Sequence, residues 1–216
     1  MTSARVLSNG VLMAAAFEPE LAELRRALVG SACEKRVQCA TVGIGLVEAA
    51  LGTAAALERY RPTAAIPIGT CGSYGGTSVA NLDVDVASRF VLADAAGASG
   101  KAAFVGTMAE SCLPEDGIVS ALADGSDGTH RRAVGTTLGI TTDDEVAAIM
   151  AAHGNLLAEH LEAYAFAVAC VRAKVPFGIA LGVANRVGAT GRDEWRAHHG
   201  EASARASRVV MRAMGG

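Results

Sequence analysis

The sequence predicts an α/β fold with a mixed or largely parallel sheet. Three observations carry this. Short apolar runs suited to strands alternate with longer runs at helical spacing. Hydrophobic residues make up 51% of the 216, enough for one substantial core. Glycine-bearing turns separate the runs, and no repeat or linker divides residues 1–216, which read as a single domain.

Val11 to Ala16 reads as the first strand. A signal peptide is the competing reading of this start, but Glu18, Pro19 and Glu20 follow at once and a helical pattern continues from them. Pro19 to Val29 is that helix: Pro19 suits a first helical position, and Leu21, Leu24 and Leu28 recur on one face. Arg36 to Val42 is a strand ending in Gly43-Ile44-Gly45, and Val47 to Arg59 is the next helix. Ala64 to Ile68 is a third strand, leading into a glycine-rich turn from Gly69 to Gly76. Asp85 to Leu92 is another strand. Residues 95–128 are polar and glycine-rich, predicting loops and one short helix. His130 to Thr141 is strand-like, and Asp143 or Asp144 caps a helix through His153.

From Glu159 the chain reads as two carboxylates, Glu159 and Glu162, heading a buried helix over Ala163 to Val171. Pro176 blocks its continuation. Phe177 to Val183 is a strand covered on both faces, ending near Ala184-Asn185-Arg186. Arg192 to Met214 is a long closing helix. Ligands of open α/β sheets collect beyond the carboxyl ends of strands, so a carboxylate, an amide and a guanidinium here form a candidate site.

Net charge is −3 and aromatics are 4%, giving no electrostatic reason to bind nucleic acid or anionic membrane and no stacking platform for bases. No apolar run reaches membrane-spanning length. The five cysteines are scattered, with no C-x-x-C pair, and read as core residues in a reducing cytoplasm. No His/Cys/Asp set has metal-ligand spacing. Gly43-x-Gly45 follows a strand, but Glu48 stands where a dinucleotide motif needs its third glycine. No cofactor is expected.

Four segments, in order, resemble the nucleoside phosphorylase and nucleosidase superfamily: AAFEPELAEL (15–24), VGIGLVEAALG (42–52), IPIGTCGSYGG (66–76) and EHLEAYAFAVAC (159–170). A fifth, ANRVGATGRDEWR (184–196), is similar to the S-N-x-V-x-x-R-D-x-x-W pattern of futalosine hydrolases, which release hypoxanthine from futalosine in a menaquinone pathway. The resemblance implies a three-layer sandwich, a central mixed β-sheet flanked by helices. It implies a cytoplasmic homo-oligomer acting on a small-molecule purine nucleoside and water.

By the resemblance, Glu18 activates water, with Glu20 as the second candidate. Glu162 grips the ribose hydroxyls above Leu161, the turn residues Thr70, Cys71 and Gly72 meet ribose and base, and Asn185 stands near purine N7. Nucleosidases usually place an Asp at the last position. An amide donates a hydrogen bond but is a poor general acid, which suits hypoxanthine, a better leaving group than adenine. Pro67 occupies the place of the phosphorylases' phosphate-binding Arg and offers neither charge nor N–H, so water is the expected co-substrate. Leu181 and Ala184 replace an Arg and a Ser common in relatives. A nucleosidase or phosphorylase for another purine nucleoside, and a nucleoside-binding homologue without turnover, stay open as alternatives.

Overall fold

A computed structural model of the protein describes residues 7, 10–75, 79–124 and 128–215. Its first strand, β1 (Val11–Ala15), is wholly buried and lies parallel between β2 (Val37–Thr41) and β3 (Ala64–Ser73). A strand with neighbours on both edges and helices on both faces must be apolar throughout, and VLMAA is. Between these strands run α1 (Glu18–Leu28) and α2 (Leu46–Tyr60). The α1 stripe of Leu21, Leu24 and Leu28 is buried as the spacing predicts, each leucine contributing about 1.5–3 kcal/mol.

The chain continues through β4 (Val84–Leu92), the short α3 (Ala95–Ala98), β5 (Ser111–Cys112) and α4 (Asp116–Ala123). Then come β6 (Thr129–Thr136), α5 (Asp144–Ala152), β7 (Ala158–His160), α6 (Ala163–Ala173), β8 (Ala180–Arg186) and α7 (Gly191–Ala213). Asp143 caps α5, its carboxylate accepting the N–H groups of Glu145 and Val146.

The sheet is mixed, in the order β2-β1-β3-β7-β6-β4-β5, with β8 pairing both β3 and β4. Its pairings therefore close on themselves: β3 to β7, β7 to β6, β6 to β4, β4 to β8, and β8 back to β3. Side chains of α1, α4 and α7 pack on one face, around Met13, Ile66 and Val86. Side chains of α2 and α6 pack on the other, around Leu12, Ala65 and Phe90.

Several elements differ from the sequence expectation. The stretch expected to hold loops and one short helix carries α3, β5 and α4, and the strand expected over His130 to Thr141 ends at Thr136. The glycine-rich stretch after Ile68 is strand as far as Ser73, because β8 pairs its whole length and β7 pairs its end. Gly76 of that predicted turn lies outside the described residues. Glu159 stands in β7 rather than at a helix head. The last strand begins at Ala180, three residues late, since Phe177 makes only an isolated bridge to Ala65.

One buried ion pair crosses the closed part of the sheet. Arg132 of β6 donates from Nε to Asp85 of β4 at 3.2 Å, both side chains being almost wholly enclosed. Burial still pushes the Asp85 carboxyl up to about 6 against the pull of the guanidinium. Asp85 is in register with Leu181 of β8.

Candidate active site

The ends of β1, β3, β7 and β8 converge on a cavity of about 580 Å³. Of the residues singled out from sequence, Thr70, Cys71, Gly72, Leu161, Glu162 and Asn185 line it. Glu18 does not. It lies on the outer side of α1, 61% exposed at the side chain, with its carboxylate 2.7 Å from Arg25 Nε. The carboxylate at the cavity is Glu20, only 5% exposed. A larger groove of about 1070 Å³ between α2 and α6 holds none of these residues.

Glu20 Oε1 accepts the backbone N–H of Thr70 at 3.0 Å and its hydroxyl at 3.2 Å. That hydroxyl in turn accepts Trp195 Nε1–H at 3.0 Å. The indole and hydroxyl fix one carboxylate oxygen, while the buried Oε2 has no partner among the described residues. Burial, and then the charge of Glu162, raise the Glu20 carboxyl to about 8, against the hydrogen bonds of Thr70 and the pull of the Ala16 backbone N–H.

Glu162 sits at the head of α6 and accepts the Gly45 N–H at Oε1, 2.7 Å away. Gly45 has φ +85°, which only glycine adopts without strain, so the glycine turn before α2 presents an N–H to Glu162. His160 Nδ1 accepts the N–H groups of Glu162 and Ala163, each at 3.0 Å, capping α6. Burial lowers the His160 pKa, opposed by Glu162, so the ring is neutral with its proton on Nε2. Its 3.1 Å approach to Glu162 Oε2 is accordingly not an ion pair in that form.

Asn185 is the penultimate residue of β8, and one N–H of its amide is donated to the Arg186 carbonyl at 2.8 Å. Glu159 accepts the Thr141 N–H and hydroxyl at 2.9 and 2.6 Å, and the Tyr74 hydroxyl at 2.9 Å. The buried Cys71 thiol is pushed well above its ordinary pKa and remains a thiol. Among the described residues, no group of three His, Cys, Asp or Glu is placed to hold a metal ion.

Sequence reasoning gave no role to Trp195, His160 or Glu159. Trp195 closes the fifth quoted segment, and Glu159 and His160 interrupt an otherwise apolar stretch, but their partners lie far away in the chain. What the cavity offers is two electrostatically coupled carboxylates, an amide and a third, hydrogen-bonded carboxylate on the lip of a mixed sheet. Such a site suits a small ligand carrying several hydroxyl or N–H donors.

The chain belongs to the phosphorylase superfamily, whose family model matches residues 14–214. No sequence among curated proteins matches it significantly. Its fold is similar to that of a 5′-methylthioadenosine/S-adenosylhomocysteine nucleosidase from Colwellia psychrerythraea 34H, solved in complex with adenine. There the TM-score is 0.85 at 21% identity, covering 96% of this chain and 95% of that one. A Neisseria meningitidis enzyme of the same name, in complex with methylthio-immucillin-A, gives 0.83 at 19% identity, over 94% and 97%. A futalosine hydrolase mutant of Helicobacter pylori strain 26695 gives 0.86 at 14% identity, over 96% and 98%.

Proposed function

We propose that the protein is a purine nucleosidase, hydrolysing the N-glycosidic bond of a purine nucleoside. The observation that carries this is the pairing of Glu20 and Glu162 in one cavity, with Asn185 at the adjoining strand end. Breaking an N-glycosidic bond builds positive charge on the ribose and negative charge on the purine. Two carboxylates stabilise the first, and an amide N–H stabilises the second. The free Oε2 of Glu20 accepts a proton from the attacking water. Glu162, fixed by Gly45 N–H, accepts hydrogen bonds from the ribose 2′- and 3′-hydroxyls. Asn185 donates toward N7 of the departing base.

Water, not phosphate, is the second substrate in this reading. Pro67, at the place of the phosphorylases' Arg, is buried in β3 opposite Ala14 and has nothing to offer an anion. The substrate we favour is futalosine, giving hypoxanthine and dehypoxanthine futalosine in menaquinone biosynthesis. The 184–196 segment and the likeness to a futalosine hydrolase fold support it.

We also propose that the enzyme is a homo-oligomer, with a second copy on the α2–α6 face. Val47 and Leu51, which line the groove there, are each 65% exposed, an apolar surface that invites burial. Ile44 is 61% exposed and lines the cavity just ahead of α2, so a partner on this face would stand beside the site.

The test is release of free base from futalosine, inosine, adenosine and methylthioadenosine, with and without phosphate. Glu20→Gln and Glu162→Gln are each expected to lower hydrolysis by about 10²-fold or more, and Glu18→Gln to leave it near wild type. Activity only with added phosphate, or undiminished activity in Glu20→Gln, overturns the reading.

A further inference from the structure

Trp195 stands near the start of α7, half-buried, and lines the cavity. Its indole N–H is donated to Thr70 Oγ1 at 3.0 Å, and its ring stacks on His199 with the centroids 4.4 Å apart. The preceding residue, Glu194, holds this end of α7 against the end of β8. Its carboxylate accepts the Arg186 N–H at 2.8 Å and the Thr190 hydroxyl at 2.6 Å. The hydroxyl that the indole meets is the one that reaches Glu20 Oε1, at 3.2 Å. Beneath that carboxylate is Gly69, where a Cβ would come 2.9 Å from Oε1, so Glu20 lies directly on β3.

We infer that Trp195 is a positioning residue for Glu20, and that it acts by turning the Thr70 hydroxyl onto Oε1 so that Oε2 is left to take the proton of the attacking water. This rests on the nucleosidase reading of the cavity. A threonine hydroxyl has one hydrogen and two lone pairs. The indole N–H occupies one lone pair and excludes the hydroxyl hydrogen from that direction, which leaves Glu20 as its acceptor. Accepting one hydrogen bond also makes the hydroxyl a stronger donor in the next.

Oε1 thus accepts two donors, the N–H and the O–H of Thr70, whereas the buried Oε2 has no hydrogen-bond partner among the described residues. A proton added to this carboxylate goes to Oε2. In the reaction an O–H bond of water breaks and its proton passes to Oε2 as the water oxygen bonds to C1′. The electron pair of the N-glycosidic bond leaves with the base.

Trp195→Phe keeps the stacked ring and removes the N–H. It is expected to lower kcat by about 10-fold or more with KM nearly unchanged, and to move the rise of kcat/KM to higher pH, because ionised Glu20 loses part of its hydrogen bonding. Trp195→Phe/Thr70→Val is expected to lose no more than Thr70→Val alone, since both changes act on one contact. Unchanged kcat and pH profile in Trp195→Phe, a change in KM alone, or independent losses in the double variant overturn the inference. Trp195 is the chain's single tryptophan, so its emission reads the contact without turnover. Emission is expected to titrate with Glu20 at about 8 and to lose that inflection in Glu20→Gln. That variant keeps the cavity's other ionisable side chains, Cys71, Glu159, His160, Glu162 and Arg192, and the stacked His199. Wild-type emission flat from about pH 6 to about 10 overturns the coupling, whether or not a variant folds. Base release undiminished in Trp195→Phe sinks this inference alone. Titrating emission with no base released from any nucleoside sinks the nucleosidase reading and leaves the contact between Trp195, Thr70 and Glu20 standing.

Discussion

Glu18 and Glu20 differ by two residues, and α1 turns about 200° between them. Only one can face the cavity. The sequence held a clue in the helical phase: Glu18 is seven residues from Arg25, on the solvated side, whereas Glu20 is four from the buried Leu24. Glu162 and Asn185 were legible because each stands at an element boundary in a recognisable segment. The partners that orient them were not, since Gly45, Thr70 and Trp195 come from separate parts of the chain. The raised carboxyl of Glu20 has a kinetic signature. In the nucleosidase reading its ionised form is the base, so kcat/KM is expected to rise with pH and level off above about 8. A profile flat from pH 6 to 9 on the order of the pKa window speaks against Glu20 as base. The stability effect runs oppositely. Between the ordinary carboxylate pKa of 4.5 and about 8 the folded chain keeps a proton that the unfolded chain has released, so stability falls as pH rises through that interval. Urea unfolding should show this slope in wild type and less of it in Glu20→Gln.

At the scale of elements, most strands and helices longer than a few residues were legible from period and capping, whereas α4 fell in a stretch that reads as loops with one short helix. The strand β7 was not, because three residues carry no periodicity and its pairing with β3 and β6 is wholly tertiary. The same reason hid the second half of β3, whose glycines read locally as a turn. A further element-level feature is the Asp85–Arg132 pair, which ties β4 to β6 with both side chains almost wholly buried. Arg132→Met should cost about 3–5 kcal/mol in urea unfolding, because it leaves Asp85 buried without its cation. The double variant Arg132→Met/Asp85→Leu should recover much of that. A loss under about 1 kcal/mol in the single variant would mean that the pair contributes little beyond its own desolvation.

Across the whole molecule, the alternation of strands and helices specified the class of fold, but nothing local told that β8 would bridge β3 and β4. The α2–α6 face makes a prediction at this scale. Light scattering should give a mass above the 21.9 kDa of one chain, and Leu51→Glu should reduce it to that value. A wild-type monomer at assay concentration contradicts the assembly. The closed ring of strand pairings also bears on how the protein is made. Residues 64–73 and 84–92 leave the ribosome long before residues 180–186, the strand that joins them. Until then β3 and β4 each present an unpaired edge, open to strands of other nascent chains. Pairing so distant in sequence makes folding slow, on the scale of milliseconds to seconds rather than microseconds. Any fragment ending before β8 lacks both the ring and Asn185, so the cavity at the strand ends comes into being only after residues 180–186 have been synthesised.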